Sequence, residues 1–181
     1  SGNTYAWKKT KLCSVRYGNV IGSRGSVVET LLNNKGVKKV QITDHQMTRF
    51  WITLKQAVNL VMFAIENMEG GEIFVPKIPS MKLVDLFDTL APNAKKEITG
   101  IRPGEKLHEI LLTEQEALHT TELKEYFVII PEYLSQDRLK KDTFSKYLKN
   151  GELVKNAFSF TSNTNKEWLS REDLRVLLTK K

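Results

Sequence analysis

Hydrophobic and polar positions change their period several times between residues 12 and 99. The alternation that begins at Leu12 breaks at Gly18, which predicts a strand followed by a turn. Further strand-like segments occupy residues 40–43, 47–52, 72–75 and 95–99. Helix-like segments begin near Ser26, Thr53 and Ser80, between those strands. Strands that alternate with helices in this way predict an α/β architecture.

The helix that begins after Thr53 has the clearest amphipathic pattern in the chain. Its apolar positions recur every three or four residues, and Gly70-Gly71 marks its end. The residues predicted to face inward are Leu54, Ala57, Val58, Val61, Ile65 and Met68. Farther along, the pattern predicts strands over 124–130 and 157–161, a polar excursion over 132–157, and a last helix that opens at Leu169-Ser170.

A glycine-rich segment follows the first strand. Gly18, Gly22 and Gly25 let the backbone take positive φ angles and come close to another group, while Ser26 and Glu29 have capping-box spacing. A strand, a loop and a helix N-terminus together favour an anion site, to which Arg24 would add a cation. The glycine spacing differs from G-x-G-x-x-G, so this is not the main pyrophosphate loop of a dinucleotide site. A plain tight turn stays open as the alternative.

A second loop occupies residues 100–106. Arg102 lies beside a stiff proline and a permissive glycine, and its planar guanidinium suits a phosphate or carboxylate. An ordinary surface turn would have the same composition. Thr113 and Glu116 then predict the start of a short helix.

Composition narrows the class of partner. The 181 residues carry a net charge of +7, which favours an anionic partner, but the lysines are scattered as doublets without a basic helix. We therefore expect a small anion such as a nucleotide and no nucleic acid. The apolar runs are far shorter than the roughly 20 residues of a membrane span, so we expect no membrane partner.

Cysteine and histidine usage limits the chemistry. Cys13 is the single cysteine, which excludes a disulfide framework and favours a reducing, cytoplasmic location. The three histidines lack ligand spacing, so no metal site is expected. Tyr5 and Lys9 match Y-x-x-x-K, but they lie too close to the first strand to form the catalytic pair of a long helix.

Several segments together resemble one enzyme family, in the same order and spacing. They are similar to segments of the C5-inverting UDP-N-acetylglucosamine 4,6-dehydratases, which are extended short-chain dehydrogenase/reductases of bacterial surface-polysaccharide and flagellin-glycan biosynthesis. The resembling segments are 15–28, 47–54, 70–82, 100–109 and 165–169, and they include Arg16-Tyr17-Gly18-Asn19-Val20 and Gly100-Ile101-Arg102-Pro103-Gly104.

The resemblance implies a division of the chain and a set of site residues. Residues 1–11 would be an N-terminal remnant, and 12–181 would hold the last Rossmann strands with the smaller sugar-nucleotide domain. Asn19 and Val27 would contact the substrate, Arg102 the UDP diphosphate and Glu105 its ribose, while Arg49 would shape the pocket. The residues implied to line the nicotinamide side of NADP are Val20, Ile21, Gly22, Ser23 and Arg24.

The chain also departs from the family pattern. The family's glycine fingerprint, its Asp-Lys acid/base pair and its Tyr-x-x-x-Lys helix all precede the first strand, and none is present here. The resemblance thus implies the UDP-sugar-binding half of a dehydratase, without catalytic residues of its own and inactive alone. A separate Rossmann-half chain would be a possible partner, and the complete enzyme a homo-oligomer. The alternative is a non-enzymatic α/β module that binds a nucleotide or a protein.

Overall fold

A computed structural model describes residues 10–34, 36–132, 144–155 and 157–179. The predicted pair Tyr5 and Lys9 and part of the predicted excursion over 132–157 lie outside these ranges. The described residues divide into two compact units whose segments alternate along the sequence. The first unit holds 10–17, 55–77, 110–132, 144–155 and 157–160. The second holds 18–34, 36–54, 78–109 and 161–179. No helix in this described part is long and apolar enough to cross a membrane.

Strands and helices alternate through most of the chain. The strands are β1 (Ser14–Val15), β2 (Asn19–Val20), β3 (Lys39–Ile42), β4 (Thr48–Ile52), β5 (Ile73–Pro76), β6 (Ser80–Lys82), β7 (Lys95–Ile98), β8 (Ile110–Leu112), β9 (Thr120–Glu122), β10 (Tyr126–Ile129), β11 (Glu152–Leu153) and β12 (Phe160–Thr161). The helices are α1 (Val27–Asn33), α2 (Leu54–Asn67), α3 (Leu83–Leu90), α4 (Glu114–Ala117), α5 (Ser145–Asn150) and α6 (Arg171–Thr179). This arrangement confirms the predicted α/β class.

The first unit is built on a five-stranded sheet with the order β1-β5-β10-β9-β11. β1 and β5 are parallel, with Ser14 opposite Ile73, and the other neighbours are antiparallel. α2 lies in the connection between the two parallel strands, as parallel pairing requires a crossover. Its buried side packs into a core with aromatic residues of the sheet and of α5; the core comprises Leu60, Ala64, Phe74, Val128, Ile130, Phe144 and Tyr147.

The second unit contains two small sheets. In one, β4 pairs in parallel with β2 and antiparallel with β6; in the other, β3 and β7 are parallel. Two apolar clusters support them. One comprises Leu31, Val40, Ile42, Phe87, Ala91 and Ala94, and the other Val28, Trp51, Met81, Leu86 and Leu174.

Gly18 is required because two backbones come close. Pairing with β5 extends past β1 to Arg16, and the chain then enters β2 after Gly18 instead of turning there as predicted. A Cβ at residue 18 would lie 2.5 Å from both Cβ and the carbonyl oxygen of Phe50 on β4. Only glycine fits this approach.

Three sequence-based expectations are corrected by the structure. Ser80 begins the short strand β6 and not a helix, because its backbone pairs with Phe50, and α3 begins at Leu83. The strand predicted over 124–130 is confined to Tyr126–Ile129, and the one over 157–161 to Phe160–Thr161. The remaining correction concerns α2.

The predicted inward face of α2 is largely exposed. Its buried residues are Ala57, Leu60 and Ala64, whereas Val58 and Ile65 are more than half exposed. The apolar positions of α2 span more than one side of the helix, and the core of the first unit covers the side that carries the two alanines. Periodicity located the helix correctly but not the side that this chain buries.

Candidate functional site

The glycine loop after β2 is a pair of successive turns. The Ser23 N–H donates to the Val20 carbonyl at 3.3 Å, and the Ser26 N–H donates to the Ser23 carbonyl at 3.1 Å. Gly22 and Gly25 both have φ of 72°, in the left-handed region that glycine adopts without steric cost. The predicted positive φ is thus confirmed at Gly22 and Gly25 but is wrong at Gly18, which instead allows the close approach to Phe50.

The start of α1 is capped as its spacing predicts. Ser26 Oγ accepts the Glu29 N–H at 3.2 Å, and the Glu29 carboxylate accepts the Gly25 N–H at 2.6 Å. The Glu29 carboxylate therefore already accepts the hydrogen bond of one loop N–H group that a bound anion would need. Its negative charge also repels a second anion. The anion site at this helix start stays a prediction, and Glu29 is evidence against it.

The loop and its flanks nevertheless present four exposed side chains. Asn19, Ser23, Arg24 and Val27 are exposed, and Arg24 makes no hydrogen bond or ion pair with any residue that the structure describes. Asn19 lies opposite Trp51 in the parallel pairing of β2 with β4. The same pairing places the loop at the carboxyl ends of two neighbouring parallel strands, where ligand sites of α/β folds commonly lie.

The guanidinium of Arg49 on β4 is bonded mainly to other groups of this chain. Its Nη1 donates to the carbonyls of Thr48 at 2.8 Å and Leu107 at 3.1 Å, and its Nε lies 3.3 Å from Glu109 Oε1. These contacts tie β4 to the segment 107–109. Arg49 can therefore shape a pocket by holding that segment, as the resemblance implies.

The Arg102 loop is held by its own carboxylate. The Glu105 N–H donates to the Arg102 carbonyl at 3.0 Å, and the Arg102 N–H donates to Glu105 Oε2 at 3.3 Å. Thr43, just after β3, donates to Glu105 Oε1 at 3.0 Å. Both Glu105 oxygens are thus engaged in fixing the turn between Gly100 and Gly104, whose φ angles are 79° and 82°.

The Arg102 side chain itself is exposed and has no partner among the described residues. A guanidinium on a pinned turn is available to an external anion without first breaking an internal ion pair. No hydrogen bond or ion pair within the described ranges joins this loop to the glycine loop. The structure thus brings Arg49 and Glu105 to opposite ends of one segment, 102–109, but shows no direct contact between the two predicted loops.

A buried polar cluster beside this segment was missed by the sequence analysis. Thr48 Oγ1 lies 2.8 Å from His108 Nδ1 and 2.7 Å from Ser162 Oγ, and the Glu109 N–H donates to Ser162 Oγ at 2.8 Å. Thr48 and Ser162 are fully or almost fully buried. No local motif links these positions, since Thr48 and Ser162 are 114 residues apart. The cluster fixes the backbone that Arg49 also holds.

Arg16 belongs to the first resembling segment but has a structural role. Its Nη1 and Nη2 contact Glu116 Oε2 and Oε1 at 3.0 and 2.9 Å, and Nη1 also donates to the Leu111 carbonyl at 2.8 Å. Burial raises the pKa of the Glu116 carboxyl, but the hydrogen bonds from Arg16 and Thr113 outweigh it and leave that pKa below its usual value. Arg16 thus anchors α4 within the first unit.

No group of His, Cys, Asp and Glu in the described residues could hold a metal ion. Cys13 is half-buried, and burial together with nearby Glu72 raises the pKa of its thiol. A raised pKa leaves less thiolate, so Cys13 is a poor nucleophile.

Comparisons with known proteins assign this arrangement to a family. A family model described as polysaccharide biosynthesis protein matches residues 2–131. The chain is 45% identical over 173 residues to a UDP-N-acetylglucosamine 4,6-dehydratase (inverting) of Campylobacter jejuni, covering 94% of this chain and 52% of that protein. A UDP-glucose 4-epimerase of Rickettsia rickettsii is 34% identical over 179 residues, which cover 94% of this chain and 50% of the epimerase.

A solved structure shows the same fold. The crystal structure of Pen from Bacillus thuringiensis superposes with a TM-score of 0.76 at 36% identity, over 94% of this chain and 50% of Pen. The chain therefore spans about half the length of each of these relatives.

Proposed function

Since the chain belongs to the polysaccharide biosynthesis protein family, we propose that it is the UDP-sugar-binding part of an inverting UDP-N-acetylglucosamine 4,6-dehydratase. The identity to the dehydratase exceeds that to the epimerase, 45% against 34% over similar lengths, which favours the dehydratase as the closer functional relative. The structural observation that carries the proposal is the exposed, unpartnered guanidinium of Arg102 on a turn pinned by Glu105.

Arg102 would bind the diphosphate of the sugar nucleotide. A guanidinium presents a planar fork of donors that matches two phosphate oxygens at once. Because Glu105 and Thr43 already fix the turn, little conformational entropy is lost when the anion binds. Glu105 would act on the nucleotide mainly through this positioning, and Arg49 by holding the far end of the same segment.

Asn19 and Val27 complete the proposed substrate contacts. Both are exposed, and they flank the glycine loop that begins at the end of β2. Asn19 offers an amide to sugar hydroxyls, and Val27 an apolar surface at the start of α1.

The complete enzyme would use NADP, which would supply hydride transfer when bound. The described residues fit one wall of such a site: Val20 and Ile21 are half-buried and apolar, Gly22 lets the backbone turn, and Ser23 and Arg24 are exposed. The resemblance puts the family's Tyr-x-x-x-Lys helix ahead of the first strand, so the proposal assigns no catalytic residue to this chain. The same proposal places the enzyme in the cytoplasm, where the Cys13 thiol would stay reduced.

Titration calorimetry with UDP-N-acetylglucosamine tests the proposal. We expect the chain to bind it, and the variant Arg102→Ala to weaken binding by about 1.5–3 kcal/mol, or roughly 10- to 150-fold, because a charge-assisted hydrogen bond is lost. Lys106→Ala is the matched control, since Lys106 is an exposed cation two residues beyond the turn's Gly104. Equal affinities for the wild type and Arg102→Ala would contradict the role of Arg102. Absence of binding by the wild type would favour the non-enzymatic module.

A further inference from the structure

Leu107, His108 and Glu109 are each hydrogen-bonded to another segment of the second unit. The Thr48 N–H donates to the Leu107 carbonyl at 3.1 Å, and Thr48 Oγ1 lies 2.8 Å from His108 Nδ1. The Glu109 N–H donates to Ser162 Oγ at 2.8 Å. An imidazole nitrogen and a hydroxyl can each donate or accept, so the direction of these bonds depends on where the neighbouring protons lie.

The distances fix that direction. Ser162 Oγ accepts the Glu109 N–H, and its own proton has two acceptors within reach: Thr48 Oγ1 at 2.7 Å and the Thr48 carbonyl at 3.2 Å. An O–H···O bond is normally about 2.5–3.0 Å long, so the Ser162 proton goes to Thr48 Oγ1. Thr48 then keeps its own proton for its other neighbour, which is His108 Nδ1.

His108 therefore ends a one-way chain of hydrogen bonds. The chain starts at the Glu109 N–H and passes through two hydroxyls, of which Thr48 is only 2% exposed and Ser162 completely buried. Because a buried donor needs an acceptor, the chain requires one at its end. A neutral imidazole with its proton on Nε2 supplies it. The opposite direction would leave the Ser162 proton with only the longer contact.

The same backbone carries the arginine contacts of the candidate site. Arg49 Nη1 donates to the Thr48 and Leu107 carbonyls. The segment that contains Arg102 is thus held near its start by Glu105 and at its far end by the hydrogen-bond chain. If the far end could shift, the Arg102 guanidinium would lose its fixed position, and an anion would have to order it on binding.

We propose that His108 is a positioning residue for the Arg102 loop. By accepting the Thr48 proton, its Nδ1 keeps the segment in the one arrangement that holds Arg102 ready for an anion. The proposal rests on the proposed function in taking a UDP-sugar as the ligand. His108 makes no contact with that ligand and alters its affinity only through Arg102.

The position of the His108 proton is tested first, without ligand. In protein labelled with ¹⁵N-histidine, the ring nitrogens show which of them carries a proton, and the signals lost in His108→Phe are those of His108. At pH 8, where histidine side chains are ordinarily neutral, we expect a proton on Nε2 and none on Nδ1. A proton on Nδ1 would overturn the proposal, because that nitrogen could not then accept from Thr48.

Titration calorimetry with UDP-N-acetylglucosamine then measures the positioning. His108→Phe keeps a planar ring but places a C–H group against the Thr48 hydroxyl, and we expect affinity to fall about three- to tenfold. His108→Asn puts Oδ1 in the place of Nδ1, so it keeps the acceptor and should stay within about twofold of the wild type. His119→Phe, at a half-buried histidine of the first unit, is the matched control and should leave affinity unchanged.

The dependence on Arg102 is tested by combining substitutions. In an Arg102→Ala background, His108→Phe should change affinity by less than about twofold, because the group that His108 positions is gone. Binding is measured well below the thermal transition of each variant, so that only folded proteins are compared. Equal losses in both backgrounds would overturn the proposal, as would unchanged affinity in His108→Phe alone. Absence of binding by the wild type would overturn the proposed function as well, so the two failures are distinguishable.

Discussion

Glu72 and Arg102 are both ionisable residues beside a glycine turn, but they differ in burial and in hydrogen bonding. Glu72 follows Gly70-Gly71 in the first unit and is completely buried, with the N–H groups of Glu69 and Gly70 and the hydroxyl of Tyr147 on its carboxylate. Arg102 lies between Gly100 and Gly104 in the second unit, exposed and without a partner in the described part of the chain.

The difference separates a structural charge from one available for binding. The three donors to Glu72 lie at 2.5, 2.7 and 2.8 Å. The carboxylate therefore binds the backbone that follows α2 and, through the Tyr147 hydroxyl, contacts α5. Buried polar groups are almost always satisfied in this manner, because an unsatisfied one costs stability. The Arg102 side chain has no hydrogen bond or ion pair with a described residue, so its guanidinium is available to an external anion.

The largest expected effect comes from removing the Glu72 carboxylate. Glu72→Ala leaves the N–H groups of Glu69 and Gly70 without their acceptor, while the Tyr147 hydroxyl keeps only the Asn67 carbonyl, and we expect a loss of about 3–5 kcal/mol in the free energy of unfolding. Urea denaturation measures it. Glu152→Ala, at an exposed position of β11, is the control and should change stability by less than about 0.5 kcal/mol. Similar losses in both variants would show that the Glu72 network contributes little.

A smaller, pH-dependent effect is expected at Tyr147. Its one hydroxyl proton is shared between the Asn67 carbonyl at 2.6 Å and Glu72 Oε1 at 2.8 Å, so Tyr147→Phe should cost about 1–2 kcal/mol at pH 7. Burial, followed by the charge of Glu72, raises the pKa of Tyr147 well above its value in an unfolded chain. The unfolded state therefore loses its tyrosine proton first, and the wild type loses stability as the pH rises above about 10.

Tyr147→Phe lacks this titration, so its stability should fall less steeply in the same alkaline range. Urea denaturation of both proteins at pH 8 and above pH 10 measures the difference in slope. Cys13 and Tyr126, whose pKa values are also raised, remain in both proteins and cancel in the comparison. Parallel alkaline losses would contradict the assignment of this titration to Tyr147.

Local features of the fold were predictable from the sequence because they depend on neighbouring residues. The cap of α4 is one example: Thr113 and Glu116 form the reciprocal hydrogen bonds that their spacing predicts. The buried side of α2 was not predictable, because it depends on which surface packs against a helix with two apolar sides. Ser80 likewise joins a strand through Phe50, 30 residues earlier in the chain.

The candidate site shows the same limit. The Gly, Pro and Arg composition of residues 100–104 predicted an exposed turn with a cation, and the structure has Arg102 exposed there. The contacts that fix the turn were invisible in the sequence, since Thr43 and Glu105 are 62 residues apart. The Thr48–His108–Ser162 cluster has no local signal for the same reason. Distant pairs become neighbours only through the fold.

The smallest expected change in stability is that of Arg102→Ala, and it tests the contrast between Arg102 and Glu72 most directly. Arg102→Ala should change the free energy of unfolding by less than about 0.5 kcal/mol at pH 7, because no described residue loses a partner. Urea denaturation of Arg102→Ala and Glu72→Ala should then give a negligible loss in the free energy of unfolding for the first variant and a large loss for the second. A loss above about 1 kcal/mol would make Arg102 a structural residue like Glu72, and the proposed diphosphate site would lose the observation that carries it. A negligible loss, together with weakened UDP-sugar binding, would show that this charge serves the ligand and not the fold.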